Sequence, residues 1–158
     1  MKYKCPLLVV TDMARSRRFY TEVLGQTMIA DFGGHITFSG DFALQTGDSW
    51  LKSTGREEVA VLHRHHSGEL YFEEESFDLF VARLKARDDI EYLHDVFTES
   101  TGQRVIRFYD PDGHLLEVGE CMTLVIKRLI DSGLTIGQTM ERTGYPEEFI
   151  LAKLRKLS

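Results

Sequence analysis

Two spacings of apolar residues alternate along this chain, one of a strand and one of a helix, and their order occurs twice. KCPLLVV at residues 4–10 is rich in Val and Leu and predicts a strand. Asp12 is placed to cap a helix, and MARSRRFYTEVL puts Phe19, Val23 and Leu24 on one helical face before Gly25 stops it. Strands follow at 27–32, 35–39 and 41–46, with Gly33-Gly34 and Gly40-Asp41 as the turns. After a polar connection over 47–68 the order returns. ELYFEE at 69–74 is a strand and Ser76 a cap. FDLFVARLKAR aligns Phe77, Phe80, Val81 and Leu84, and strands fit 91–97, 103–109 and 114–119. Two copies of a βαβββ unit are the simplest description, an α+β fold over residues 1–120.

The last predicted hairpin, RFYDPDGHLLEVGE at 107–120, carries the sharpest chemistry. Asp110-Pro111-Asp112-Gly113 is a tight turn, with Pro presetting one backbone angle and Gly supplying a conformation that other residues avoid. Glu117 then stands among Leu115, Leu116 and Val118. A carboxylate on a covered strand is costly unless it has a partner or a task, so Glu117 is the first candidate site residue.

Residues 121–158 differ in character. CMTLVIKRLIDSG is a helix pattern, Thr135 can cap a short second helix ended by Gly144, and PEEFILAKLRKL at 146–157 is a third. This is a helical tail with a boundary near residue 121. Its apolar residues, Val125, Ile126, Leu129, Ile130, Ile150 and Leu154, are too many for a free segment of this size, so they should bury against the body or a partner subunit.

The 158 residues suit one domain and a small appendage, and no apolar run is long enough to span a bilayer. Two cysteines, Cys5 and Cys121, make no disulfide framework, and the absence of Asn excludes N-glycosylation. A cytoplasmic protein is expected. Net charge is −6, which argues against a protein that coats nucleic acid; the tail, with six basic and four acidic residues, is +2, and the first 120 residues are −8. An acidic body favours a cationic ligand. The tail resembles a helix-turn-helix pair, but Glu147 and Glu148 stand at the end of the last helix where bases would be read, and they repel phosphate.

The segments VVTDMARSRRFYTEVLGQ (9–26), ELYFEEESFDLFVARLKA (69–86) and RFYDPDGHLLEVGE (107–120) resemble the vicinal oxygen chelate superfamily, the group of glyoxalase I, bleomycin-resistance proteins and extradiol dioxygenases. The resemblance implies two βαβββ modules whose sheets curl around a cavity, often in a homodimer. Members of the glyoxalase kind hold a divalent metal with four side chains from the first and last strands of each module. By motif, those positions fall on Cys5, Gln45, Glu69 and Glu117, and only Glu117 keeps the family's residue type. With no His at any of the four, the imidazole sites of Zn, Ni and Fe and the triad of an extradiol dioxygenase are not built. Oxygen donors from Gln45, Glu69 and Glu117 would suit Mg, Mn or Ca, which Cys5 does not.

Without a metal, Glu69 and Glu117 would repel, so that one holds a proton or both bind a cation. Glu69, Glu73 and Glu75 share strand parity with Tyr71 among them, an acidic stripe beside an aromatic of the kind that holds amines, while Glu73 and Glu75 by themselves read as the solvated outer end of the strand. Cys5 reads as a small buried hydrophobe, and His63, Arg64, His65 and His66 as a solvated loop. The leading reading is a small-molecule-binding protein of the glyoxalase/bleomycin-resistance type that holds its ligand in an acidic cavity and acts by sequestration, with ligand contacts from Glu69, Tyr71 and Glu117. The competing one is a metal-dependent lyase or isomerase resembling glyoxalase I, with Glu69 or Glu117 as ligand or base. A DNA-linked regulator that senses a ligand rests on the tail alone.

Overall fold

The computed structural model describes residues 1–57 and 61–155. The end of the predicted polar connection's middle, 58–60, and the last residues of the third tail helix, 156–158, lie outside the described residues. The elements run β1 (Leu7–Val10), α1 (Met13–Glu22), β2 (Met28–Asp31), β3 (His35–Phe38), β4 (Phe42–Thr46), α2 (Gly47–Thr54), β5 (Glu69–Glu74), α3 (Phe77–Lys85), β6 (Tyr92–Thr98), β7 (Arg104–Tyr109), β8 (Leu115–Glu120), α4 (Met122–Asp131), α5 (Ile136–Thr143) and α6 (Glu147–Arg155). There are two four-stranded sheets, ordered β1-β4-β3-β2 and β5-β8-β7-β6. Each has the first strand of its module beside the last, so both modules carry the same βαβββ topology and the α+β reading holds.

The chain forms two compact units, 1–68 with 109–115, and 69–108 with 116 onward. In the first, β1 runs parallel to β4 and β4 antiparallel to β3, with Val9 opposite Gln45 and Gln45 opposite His35. Helix α1 starts as its sequence dictates, with the Asp12 side chain accepting from Arg15 N. Its buried face brings Tyr20 against Phe38 and Phe42, at ring centroid separations of 5.8 and 5.1 Å. Strand β1 is shorter than predicted. Pro6 has no N–H to give a ladder, and although its carbonyl accepts from Ala43 N, the strand begins at Leu7 and leaves Cys5 outside it.

Helix α2 stands where the polar connection was predicted. It presents only Trp50 and Leu51 as large apolar residues, too few to register as a periodic face. Asp48 in its first turn and Gly55 at its end, at φ 65°, are the local signals that define it.

The 110–114 turn packs within the first unit. Asp110 Oδ1 accepts from the backbone of Asp112 (2.9 Å) and His114 (2.8 Å), and Oδ2 accepts from the Tyr20 hydroxyl (2.9 Å) and lies 2.9 Å from His114 Nδ1. Asp112 Oδ1 accepts from Thr11 N (3.1 Å), the Thr11 hydroxyl and Arg15 Nη2 (3.0 Å), and Oδ2 from the buried Ser16 hydroxyl (3.1 Å). Gly113, at φ 84°, closes the turn.

In the second unit Phe77, Phe80 and Leu84 of α3 are buried, as are Val105, Ile106 and Phe108 of β7 and Leu116 and Val118 of β8. The tail belongs to this unit. Met122, Val125, Ile126, Leu129 and Ile150 form a buried cluster that gathers Leu134, Ile136, Met140, Phe149 and Leu154. The tail's apolar residues thus close largely on one another, because α6 folds back onto α4, where the sequence predicted burial against the body or a partner subunit. Polar bonds tie the cluster down: buried Glu120 of β8 accepts from Arg128 Nη2 (2.5 Å) and Arg104 Nη2 (3.2 Å), while Arg104 Nη1 also reaches Asp78 (2.7 Å).

The Asp110 contacts set a pH dependence. Burial opposes its charge, but the hydrogen bonds and charge of His114 and the bond from Tyr20 outweigh it, and its pKa lies below the ordinary 3.8. A folded-state pKa below the unfolded one stabilises fully above the unfolded value and is lost as pH falls through 3.8 toward the folded value. Asp110→Asn, which turns an acceptor into a donor facing donors, should cost about 2–4 kcal/mol at pH 7. Urea melts from pH 7 to 3 should show the variant's stability falling less with acid than the parent's.

Candidate functional site

Arg107 gathers the candidate site. It projects from β7, and its guanidinium meets three carboxylates from three other segments of the second unit. Nε donates to Glu69 Oε2 of β5 at 3.0 Å, Nη1 to Glu99 Oε1 beyond β6 at 3.4 Å, and Nη2 is in direct contact with Glu117 Oε2 of β8. His94 Nε2 lies 3.5 Å from Nη1, and the Phe97 ring centre 6.0 Å from the guanidinium carbon. Strand alternation puts Glu69 and Tyr71, Glu117 and Gly119, and Gln103 and Arg107 each at matching parity. The side chain of Glu117 is 9% exposed, whereas Glu69 and Glu99 keep 33% and 37%. The inner carboxylate is therefore fixed, and the outer two retain accessible lone pairs.

Along the same strands Tyr71 forms a second group. Its hydroxyl accepts from Gln103 Nε2 (2.7 Å) and donates to Glu73 Oε1 (3.1 Å), and Gln103 Nε2 also donates to the Glu120 carbonyl (2.8 Å). Glu73 Oε2 accepts from Met122 N at 3.3 Å. Gly119 makes room for this: a Cβ there would lie 2.6 Å from Gln103 Nε2 and 3.1 Å from Tyr71 Cε2. Burial, with the Glu73 carboxylate beside it, pushes the Tyr71 hydroxyl pKa up to about 12, so it stays protonated at neutral pH.

The sequence-predicted residues divide between the units. Glu69, Tyr71 and Glu117 lie in the second, and Arg107 joins the two acids. Gln45 and Cys5 lie in the first. Gln45 is buried in β4 with Nε2 donating to Ser49 Oγ at 2.9 Å. Cys5 is half-buried before β1, not the buried residue expected. The acidic stripe ends at Glu73, since β5 stops at Glu74 and Glu75 lies past it. Two carboxylates without a partner were expected to hold a proton or capture an outside cation, and the chain supplies its own cation instead. Arg107 was missed, though the reasoning that singled out Glu117 applies equally to an arginine between Ile106 and Phe108.

The donor set does not fit the family's divalent metal. A dication at Glu69 and Glu117 would have to share those oxygens with a guanidinium, and Cys5 is a soft donor unsuited to the hard ions that carboxylates prefer. Among the described residues no three His, Cys, Asp or Glu side chains are grouped to hold a metal ion. No helix of the described residues is long and apolar enough to cross a membrane.

Paired βαβββ sheets with a carboxylate at the last-strand position define a protein of the vicinal oxygen chelate class. The model of the glyoxalase-like domain matches residues 3–123, and the chain belongs to that family. It is similar to a protein of unknown function from Agrobacterium tumefaciens at 34% identity, over 76% of this chain and 94% of that one, with a TM-score of 0.68. A glyoxalase/bleomycin resistance protein/dioxygenase from Nocardioides is 28% identical over 76% and 83% of the two chains, with a TM-score of 0.56. A lactoylglutathione lyase from Agrobacterium tumefaciens shares the fold at 22% identity, over 75% and 92%, with a TM-score of 0.55. Comparison with curated proteins found no match. The matched domain ends inside α4, so most of the helical tail is additional to it.

Replacing Arg107 tests its role as internal counter-ion. Arg107→Ala should destabilise the protein by about 2–4 kcal/mol at pH 7, because it leaves Glu117 buried without its cation. Adding Glu117→Gln should restore part of that loss. Urea unfolding of both single variants and the double variant measures the coupling directly.

Proposed function

We propose that this chain is a small-molecule-binding protein that holds a cationic ligand over the acidic face of its second sheet. The observation that carries the reading is charge: three carboxylates share one guanidinium, a formal excess of two negative charges. Arg107 holds Glu69 and Glu99 in place without consuming their acceptor capacity, since each carboxylate oxygen can take more than one hydrogen bond. The Phe97 ring beside Arg107 and the half-exposed Tyr71 offer π faces that suit ammonium groups. Binding by sequestration asks for no group that the face lacks. A lyase of the glyoxalase I kind asks for a metal that its donors do not fit. The homodimer that the family implies is the assembly in which we place this site.

Calorimetric titration with a bleomycin, a polyamine and a quaternary ammonium compound, each set against a neutral analogue of like size, tests the reading. Saturable binding of a cation is expected, weakened about tenfold or more by Glu69→Gln or Glu99→Gln and weakened by added salt. Equal binding of the neutral analogues, or indifference to both substitutions, would sink it.

A further inference from the structure

The first unit contains a cavity of about 320 Å³ along β1, lined among others by Leu7, Val9, Trp50, His65, Ser67 and His114. All its described lining residues belong to the first unit, and none of Cys5, Gln45, Glu69 and Glu117 is among them. Its size is at the low end of small-molecule sites, enough for one or two rings. Its lining is divided: the aliphatic side chains of β1 and the indole of Trp50 make an apolar wall, and two imidazoles and a hydroxyl supply the polar groups.

The hydrogen bonds of the two imidazoles fix opposite tautomers. The buried carboxylate of Asp110 lies 2.9 Å from His114 Nδ1 and is already charged, so that nitrogen carries the proton. In the neutral ring, His114 Nε2 is then an acceptor. It has no hydrogen-bond partner among the described residues. At His65 the reverse holds: Nδ1 accepts from Ser67 N at 3.1 Å, which leaves the neutral ring's proton on Nε2. The lining of one cavity thus includes a ring with a free lone pair, His114, a ring with a free N–H, His65, and the indole of Trp50. A hydroxyl group is the complement of that pair, since it donates through hydrogen and accepts through oxygen.

We propose that this cavity binds a hydroxylated aromatic small molecule, a phenol, with its ring against Trp50 and the β1 side chains and its O–H donated to His114 Nε2. His65 Nε2–H serves as the second contact, to the phenol oxygen. Asp110 is a positioning residue here: held by Tyr20 and by the turn backbone, it sets the tautomer and orientation of His114. A ring lacking the hydroxyl would leave the His114 lone pair buried and unpaired, which is the source of discrimination.

Trp50 is the chain's single tryptophan, so its fluorescence reports on the cavity. The test is titration of the full chain with 4-cyanophenol and with 4-cyanotoluene, which replaces the hydroxyl by a methyl, read by Trp50 emission and by calorimetry. Saturable binding of the phenol is expected, at least tenfold tighter than of the toluene. His65→Ala, at an exposed position, should weaken the phenol severalfold and leave the toluene unaffected; His114→Ala should abolish the preference. Equal affinity for the two probes in the parent protein, or no saturation by either up to millimolar concentration, would overturn the proposal even if the His114 variant fails to fold. An unchanged preference in a folded His114→Ala protein would overturn it as well.

Discussion

Two adjacent carboxylates in one turn hold the first unit together. Asp110 and Asp112 lie in a segment that follows β7, yet their acceptors are filled by Thr11 just past β1, by α1 and by the turn itself. Asp110 meets four donor groups, which hold its carboxyl below the ordinary pKa despite burial, and the oxygens of Asp112 accept from Thr11, Arg15 and Ser16. A hydrogen-bonded buried carboxylate admits little displacement, since each lost donor would leave charge unsolvated. Strand β1, helix α1 and the 110–114 turn therefore come as one piece. The aromatic packing of Tyr20 against Phe38 and Phe42 depends on the same anchor, because the Tyr20 hydroxyl needs a partner to be buried at all.

The second unit solves the opposite problem. Its sheet face carries more carboxylates than cations, and a single arginine distributes itself among three of them. A planar guanidinium can do this because its donors leave in several directions from one charge. The result is that Glu117, buried on β8, is paired with a cation of its own chain, and Glu69 and Glu99 share that cation from more exposed positions. The pairing leaves three carboxylates around one guanidinium, a formal excess of two negative charges on this sheet.

The repeated order of strand and helix was legible because both modules bury amphipathic elements with clean periods and carry glycines where the chain reverses. The Asp-Pro-Asp-Gly turn was equally plain, and Glu117 could be picked out as a charge on a covered strand. What could not be read were the partners. The reach of Arg107 to Glu69 and Glu99 spans 38 and 8 residues and depends on strand order and register, which periodicity leaves open. Likewise Asp112 bonds to Thr11 across 101 residues. Helix α2 escaped because a short helix with few apolar residues is defined by its caps, and caps are weak signals in a polar stretch. The tail was read correctly as three helices, but its closure on itself required knowing that α6 returns to α4.

The bonds around Tyr71 have a geometric meaning of their own. From Met122 N to Glu73, from Glu73 to the Tyr71 hydroxyl, from Tyr71 to Gln103, and from Gln103 to the Glu120 carbonyl, the path returns through two peptide links to where it began. It is a closed circuit, part hydrogen bond and part covalent chain, and the first residue of the tail is one of its members. In a closed circuit no link can lengthen without the others adjusting, so the orientation of Tyr71 is tied to the place where α4 starts. The start of the tail is thus built into the strands that carry Glu69 and Glu117, and a displacement at Cys121 or Met122 is felt at Tyr71.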